Sequence, residues 1–99
     1  MIDYLIPLPE FKRNYKKARK KHFNVLLIRR SIHLLLIQDY DKLRRRCHDH
    51  ALHGDMQGYR ELHILKHHNL LLLYQIQNYP NGSKKLVLIK LGSHDDLYK

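Results

Sequence analysis

The sequence lacks a second cysteine, so Cys47 has no intramolecular partner and a disulfide framework is excluded. It also lacks a secretory pattern, because the N-terminus MIDYLIPLPE has no basic stretch leading into an apolar one. These two absences predict a cytoplasmic protein. Long hydrophobic runs are missing as well: the apolar stretches at 25–28, 34–37 and 70–74 fall far short of the roughly 20 residues that a spanning helix needs. No membrane segment is expected. Repeats and low-complexity tracts do not occur, and 99 residues suit one domain, 1–99, with one modest core. Acidic residues are scarce, at 9 Asp and Glu against 19 Lys and Arg, which leaves a formal charge of +10. That surplus argues for a polyanionic partner, whether nucleic acid, an anionic membrane surface or an acidic protein. Charge alone does not choose among them.

What is present reads as an α+β chain. Ile2, Tyr4 and Ile6 alternate with Asp3 and Leu5 ahead of Pro7, predicting a short strand over 2–6. Pro9 and Glu10 suit a first helical turn, and Phe11, Tyr15, Ala18 and His22 follow on one helical face. The rest of that helix, 11–21, carries Lys12, Arg13, Lys16, Lys17, Arg19, Lys20 and Lys21, a stripe able to track a nucleic-acid backbone. Val25, Ile28, Ile32, Leu35 and Leu36 predict an apolar core helix over 23–38. Residues 39–58 show no clean period and read as a loop or a broken helical turn. Strand formers dominate 59–65, 69–77 and 84–91, and the last two enclose NYPNGS, where Asn81-Gly82 signals a hairpin because both residues tolerate positive φ. The sum is two N-terminal helices on one face of a mostly antiparallel sheet of about four or five strands. Residues 70–73 and 86–89 are apolar at both parities, so the second sheet face is expected to curl on itself or meet a partner.

Histidines crowd the stretch 49-DHALHGDMQGYRELHILKHHN-69. Cleaving RNA through its own 2′-hydroxyl requires a base for that proton, an acid for the leaving 5′-oxygen, and cations for the phosphorane. Histidine, with an ordinary pKa of about 6.5, can do either proton job. Strand alternation puts Tyr59, Glu61 and His63 on one face and Leu62 and Ile64 on the other, so His63 points away from a core under the helices. His50 precedes this strand and His94 follows the last one, so both could reach the same rim. Arg60, at the start of the strand, is a candidate phosphate clamp, and Tyr98 could stack on a base. Glu61 reads as a surface or hydrogen-bonding residue and Cys47 as an ordinary thiol beside three arginines. A metal reading competes through His63-x-x-x-His67-His68. Histidines four apart share a face only on a helix, however, and this stretch reads as a strand entering a turn.

DHALHG (49–54), GYRELHI (58–64), LLLLYQI (70–76) and LGSHDDLY (91–98) together resemble the successive signatures of the RelE/ParE toxin superfamily, most closely its YafQ-type mRNA interferases. The resemblance covers roughly 9–98. It implies a RelE-like microbial RNase fold and a type II toxin that enters the ribosomal A site and cuts mRNA there without metal or other cofactor. By motif position the family's catalytic histidines fall on His50, His63 and His94, and its final aromatic on Tyr98. Tyr98 adds a hydroxyl to a position that is Phe in the family's namesake, while His67 and His68 replace an acidic residue and a Trp.

Extended to the other candidates, the reading gives a catalytic set of His50, His63, His94, His67 and Tyr98. Arg60, Lys16, Lys17, Lys20, Arg44, Arg45 and Lys90 form the RNA- and phosphate-binding set. His50 or His63 is the preferred base and His94 the preferred acid. The expected partners are ribosome, mRNA and an acidic, ribbon-helix-helix, DinJ-like antitoxin, with the toxin monomeric when free and in a hetero-oligomer when neutralised. Two other functions fit the same fold: a non-catalytic RNA- or ribosome-binding module, and a ParE-like toxin acting on a protein such as a gyrase.

Overall fold

The computed structural model describes residues 1–67 and 69–98. Its elements run β1 (Tyr4–Pro7), α1 (Pro9–Lys20), α2 (Val25–Leu36), α3 (Tyr40–Cys47), β2 (His50–Ala51), a 3-10 turn (Gly54–Met56), β3 (Arg60–His63), β4 (Leu71–Asn78), β5 (Lys84–Gly92) and α4 (His94–Tyr98). The strands form one sheet in the order β1-β5-β4-β3-β2. Only the β1–β5 pair is parallel, and the other pairs are antiparallel.

Each helix begins and ends for a local reason. Pro9 opens α1, where a missing N–H costs nothing. Beyond its end His22 takes a left-handed φ of 65°, and the Phe23 N–H returns to the Ala18 carbonyl, closing the helix without a glycine. Asn24 caps α2 by accepting from the Leu26 N–H at 3.0 Å. Asp39 caps α3 by accepting from the Lys42 N–H at 3.2 Å. The loop expected over 39–58 is thus corrected: its first part is a helix, too short to show a period, with only Leu43 and Cys47 turned into the core.

The three helices cover one sheet face. Phe11, Ala18, Ile28, Leu35, Leu43 and Cys47 meet Leu62, Leu72, Tyr74, Leu86, Leu88 and Leu91 in the main core. A register shift, with Tyr74 opposite Leu88 but Leu73 opposite Lys90, inserts Ile89 as an extra residue. This bulge reverses the alternation, so Leu91 rejoins the face of Leu86 and Leu88. On the opposite face Leu71 and Leu73 pack against Leu97 of α4, with Leu52, Met56, Tyr59 and Ile89 around them. The centre of the second face, expected to need a partner or a curled sheet, is covered by the chain's own C-terminal turn. The hairpin is also adjusted. Asn81 stays out of the positive-φ region, Gly82 alone enters it at 90°, and the Gly82 N–H closes a turn onto the Tyr79 carbonyl with Pro80 at its second position.

Candidate active site

The site lies on the sheet face away from α1–α3, because register fixes which side chains share it. His50 stands opposite Glu61 across the β2–β3 pair. Side chains opposed in this way point to the same side, and Leu62, the next residue of β3, points into the helix-side core.

Glu61 is the hub. Only 6% exposed, it spends one carboxylate oxygen on the Tyr98 hydroxyl, which donates to Oε2, and turns the other, Oε1, to His50 Nε2 at 3.7 Å. A buried carboxylate needs its lone pairs met: the Tyr98 hydroxyl meets Oε2, while Oε1 faces His50 Nε2 beyond hydrogen-bond distance and is positioned to stabilise a proton gained there. Burial and the neighbouring Glu61 carboxylate push the Tyr98 phenol well above its ordinary range, so the hydroxyl stays a donor. His94 completes the group, its ring 4.9 Å from that of Tyr98.

The His50 tautomer follows from its other nitrogen. Nδ1 lies 2.7 Å from the His48 carbonyl, an acceptor only, so Nδ1 carries the proton and donates. Neutral His50 therefore presents a bare Nε2. When that nitrogen gains a proton, the new charge sits beside Glu61. The His50 side chain is half-exposed, and a bare nitrogen whose gained proton is stabilised by an adjacent carboxylate can act as a general base.

His63 shares the face of Glu61 by strand alternation, and its ring lies 5.5 Å from that of His48. His48 escaped the sequence reading, although it stands two residues before His50, where the chain runs alongside β3. Of the two roles expected of Glu61, surface or hydrogen-bonding, the structure shows the second: it is buried and accepts from Tyr98.

Other expected residues sit elsewhere. Arg60 shares parity with Leu62 and points to the helix side, so the expected clamp beside the histidines is corrected. Its guanidinium binds Asp49 at 2.7 Å and the Tyr74 hydroxyl at 3.2 Å, and Tyr74 in turn donates to Asp49. Burial opposes the charge, but the bonds to Asp49 and Tyr74 outweigh it and hold the Arg60 pKa above its ordinary value. Burial and the same carboxylate push the Tyr74 phenol far up. This network closes the α3 side of the sheet.

His67 does not join the Glu61 group. Its ring packs edge-on to Phe23, 5.5 Å away, in a pocket beside α1. His68 lies outside the described residues. Lys17 lines that same pocket, Lys16 lines an apolar groove with Phe11 and Tyr15, and Lys20 is exposed in the last turn of α1. Arg44 borders a hollow shared with Asp49 and Arg60, Arg45 pairs with Asp41 at 3.2 Å, and Lys90 reaches Glu10 at 3.9 Å. Cys47 is fully buried, and burial raises its thiol pKa. Among the described residues no group of three or more His, Cys, Asp or Glu converges as a metal site, and no helix is long and apolar enough to cross a membrane.

An α+β fold with helices packed on a five-stranded mixed sheet is the fold of a class of small bacterial toxins. Residues 5–99 match the model of the bacterial toxin of type II toxin-antitoxin systems, YafQ, and the chain belongs to that family. A metal-bound toxin from Helicobacter pylori is 30% identical, with a TM-score of 0.79 over 99% of this chain and 100% of that one. YafQ from E. coli strain BL21(DE3) has the same fold at 22% identity and a TM-score of 0.79, over 100% of both chains. YafQ in the E. coli DinJ-YafQ complex matches at 22% identity and a TM-score of 0.73, again over 100% of both chains. Comparison of the sequence with curated proteins finds no match.

Proposed function

We propose that this toxin is a ribosome-dependent endoribonuclease that cuts mRNA in the A site by attack of the 2′-hydroxyl on the adjacent phosphate, inhibiting translation. The observation that carries the reading is the bare Nε2 of His50 held against buried Glu61. His50 takes the 2′-proton as the 2′-oxygen bonds to phosphorus. The bond from phosphorus to the 5′-oxygen breaks, and His94 supplies the proton to that leaving oxygen. The products are a 2′,3′-cyclic phosphate and a free 5′-hydroxyl. Glu61 stabilises the imidazolium formed on His50. His63, on the same face, is assigned to contact the phosphate, and the Tyr98 ring to offer a stacking surface for a base. No step uses a metal or another cofactor, since the nucleophile belongs to the substrate.

The proposed neutralising partner is an antitoxin, as the DinJ-YafQ complex suggests, and it is proposed to be acidic with a ribbon-helix-helix portion. The toxin would then be a monomer when free and part of a hetero-oligomer when held inactive. The +10 charge supports an acidic partner. An apolar docking surface is available at the open β1 edge, where Tyr4, Leu5 and Ile6 are exposed, and in the adjoining groove lined by Pro7, Phe11 and Ile32.

The reading is tested by incubating the protein with ribosomes programmed by a defined mRNA, with free mRNA as control and with excess chelator in one arm. Cuts that need the ribosome, survive chelation and end in a cyclic or 3′-phosphate are expected. Cuts abolished by chelator would overturn the metal-free mechanism. Binding without cuts would make the protein a non-catalytic ribosome or RNA binder.

A further inference from the structure

We infer that the pocket beside α1 is a second nucleotide subsite, which takes the phosphate and base of a nucleotide flanking the scissile bond in the same RNA strand. This rests on the endoribonuclease reading above. It moves His67 from the chemistry to the recognition of substrate.

The pocket encloses about 750 Å³ between the second half of α1 and the ends of the central strands. That volume is in the range of small-ligand sites. Lys17, Lys21 and Lys66 line it, with Phe23 and His67 on its wall. Its one carboxylate among the described residues, Asp96, accepts through Oδ2 from the Ser93 N–H at 3.0 Å and the Ser93 hydroxyl at 2.9 Å, and its charge is felt by Lys17 and Lys21. The lysines therefore outnumber the acid, and the pocket favours an anion.

The neutral part of the lining suits a base. Phe23 is partly exposed, and its ring meets that of His67 edge-on, which leaves an aromatic face for stacking. His67 Nε2 is buried and has no hydrogen-bond partner among the described residues. A buried polar atom without a partner costs free energy, and a turn of the His67 ring, which lines the pocket, would bring Nε2 to a base edge or phosphate oxygen there.

Continuity with the active site decides whose nucleotide this is. The segment that leaves His63 carries Lys66, His67 and Asn69 into the pocket, and Ser93 on its rim is followed directly by His94. In the sheet, His63 pairs with Leu71 and Leu71 with Gly92, another lining residue. Two strand spacings, roughly 10 Å, separate His63 from that lining. Two of the three segments that hold candidate catalytic histidines, those of His63 and His94, run into the pocket, which lies on the α1 side of the sheet, so a strand that crosses the site reaches it by passing over the sheet end at Gly92 and Ser93.

The test measures binding of 2′-deoxy-blocked, uncleavable oligoribonucleotides: a dinucleotide spanning one phosphate and a hexanucleotide. The wild type should bind the hexamer more tightly, and Phe23→Ala should weaken hexamer binding at least about fivefold, a typical loss for one base stack. Lys21→Ala with Lys66→Ala should lower the salt dependence of hexamer binding by about 0.7 per lysine. Lys84→Ala with Lys85→Ala, which removes the same charge at the other end of β5, should change it little. His67→Ala should reduce the gain of hexamer over dimer, while Phe23→Leu, with the apolar packing kept, separates stacking from folding. Equal effects of the two lysine pairs, or an unchanged gain in every pocket variant, would overturn the subsite. Ribosome binding lost with hexamer binding intact would assign the pocket to ribosomal RNA. Loss of only a glutamate-rich peptide would assign it to the protein partner; either result contradicts the proposal. Binding is read without cleavage, so an uncleaving wild type would sink the endoribonuclease reading and leave these outcomes legible.

Discussion

Tyr98 donates its phenolic hydrogen to Glu61, and so the last helix of the chain is tied to the strand that faces His50. The tie explains how a five-residue helix with one buried side chain, Leu97, holds a fixed place on the sheet. It also defines what the hydroxyl is for. In this account it buttresses the Glu61 carboxylate and takes no part in proton transfer.

Tyr98→Phe should keep the ring beside His94 while one oxygen of Glu61 loses its donor. A stability loss of about 1.5 kcal/mol is expected, at the lower end for bonds to charged groups because Tyr98 is partly exposed. Cleavage should stay within a few-fold of wild type, whereas Tyr98→Ala should lower it much further. Urea unfolding and single-turnover cleavage check this pair. A Phe variant as inactive as the Ala variant would give the hydroxyl a chemical role.

Gly92→Ala tests how closely α4 must sit. A Cβ there would lie 2.9 Å from Asp96 Cβ, an atom fixed to the helix backbone, and 3.1 Å from its Oδ2. The start of α4 must therefore shift, carrying His94 with it. The expected cost is about 1–3 kcal/mol in stability, with a loss of cleavage larger than that cost explains. Unchanged activity would mean that the position of His94 is not critical.

Alkaline pH should destabilise the protein through Tyr74. Burial and Asp49 raise this phenol above its ordinary value of 10.0 in the folded state. The resulting stability is fully present below about pH 10 and is lost as pH rises toward the folded value. The midpoint of urea unfolding should fall between about pH 9 and pH 11, and Tyr74→Phe should flatten that fall. An equal fall in both proteins would place its cause elsewhere.

Much of this architecture was legible because periodicity is visible wherever an element is long. The faces of α1 and α2 and the three-strand meander announce themselves through spaced apolar residues, while α3 shows only Leu43 and Cys47 and needed its Asp39 cap to be noticed. Alternation along β3 placed His63 and Glu61 together correctly. The same rule puts Arg60 with Leu62, on the other side of the sheet, so its proximity in sequence to the histidines was the weaker guide. The burial of Glu61 was not legible, because it depends on Tyr98, a residue 37 positions away that folds over it. His67 was misplaced for a similar reason: its neighbour Phe23 comes from the far side of α1.

The most direct test of the account is single-turnover cleavage of ribosome-bound mRNA by His50→Ala and Glu61→Gln, each shown to be folded. Loss of a general base predicts a fall of about 10²- to 10⁴-fold for His50→Ala. Glu61→Gln keeps the shape but removes the charge beside Nε2, and should give a smaller fall. Wild-type rates in His50→Ala would contradict the assignment of the base and, with it, the mechanism built on this face of the sheet.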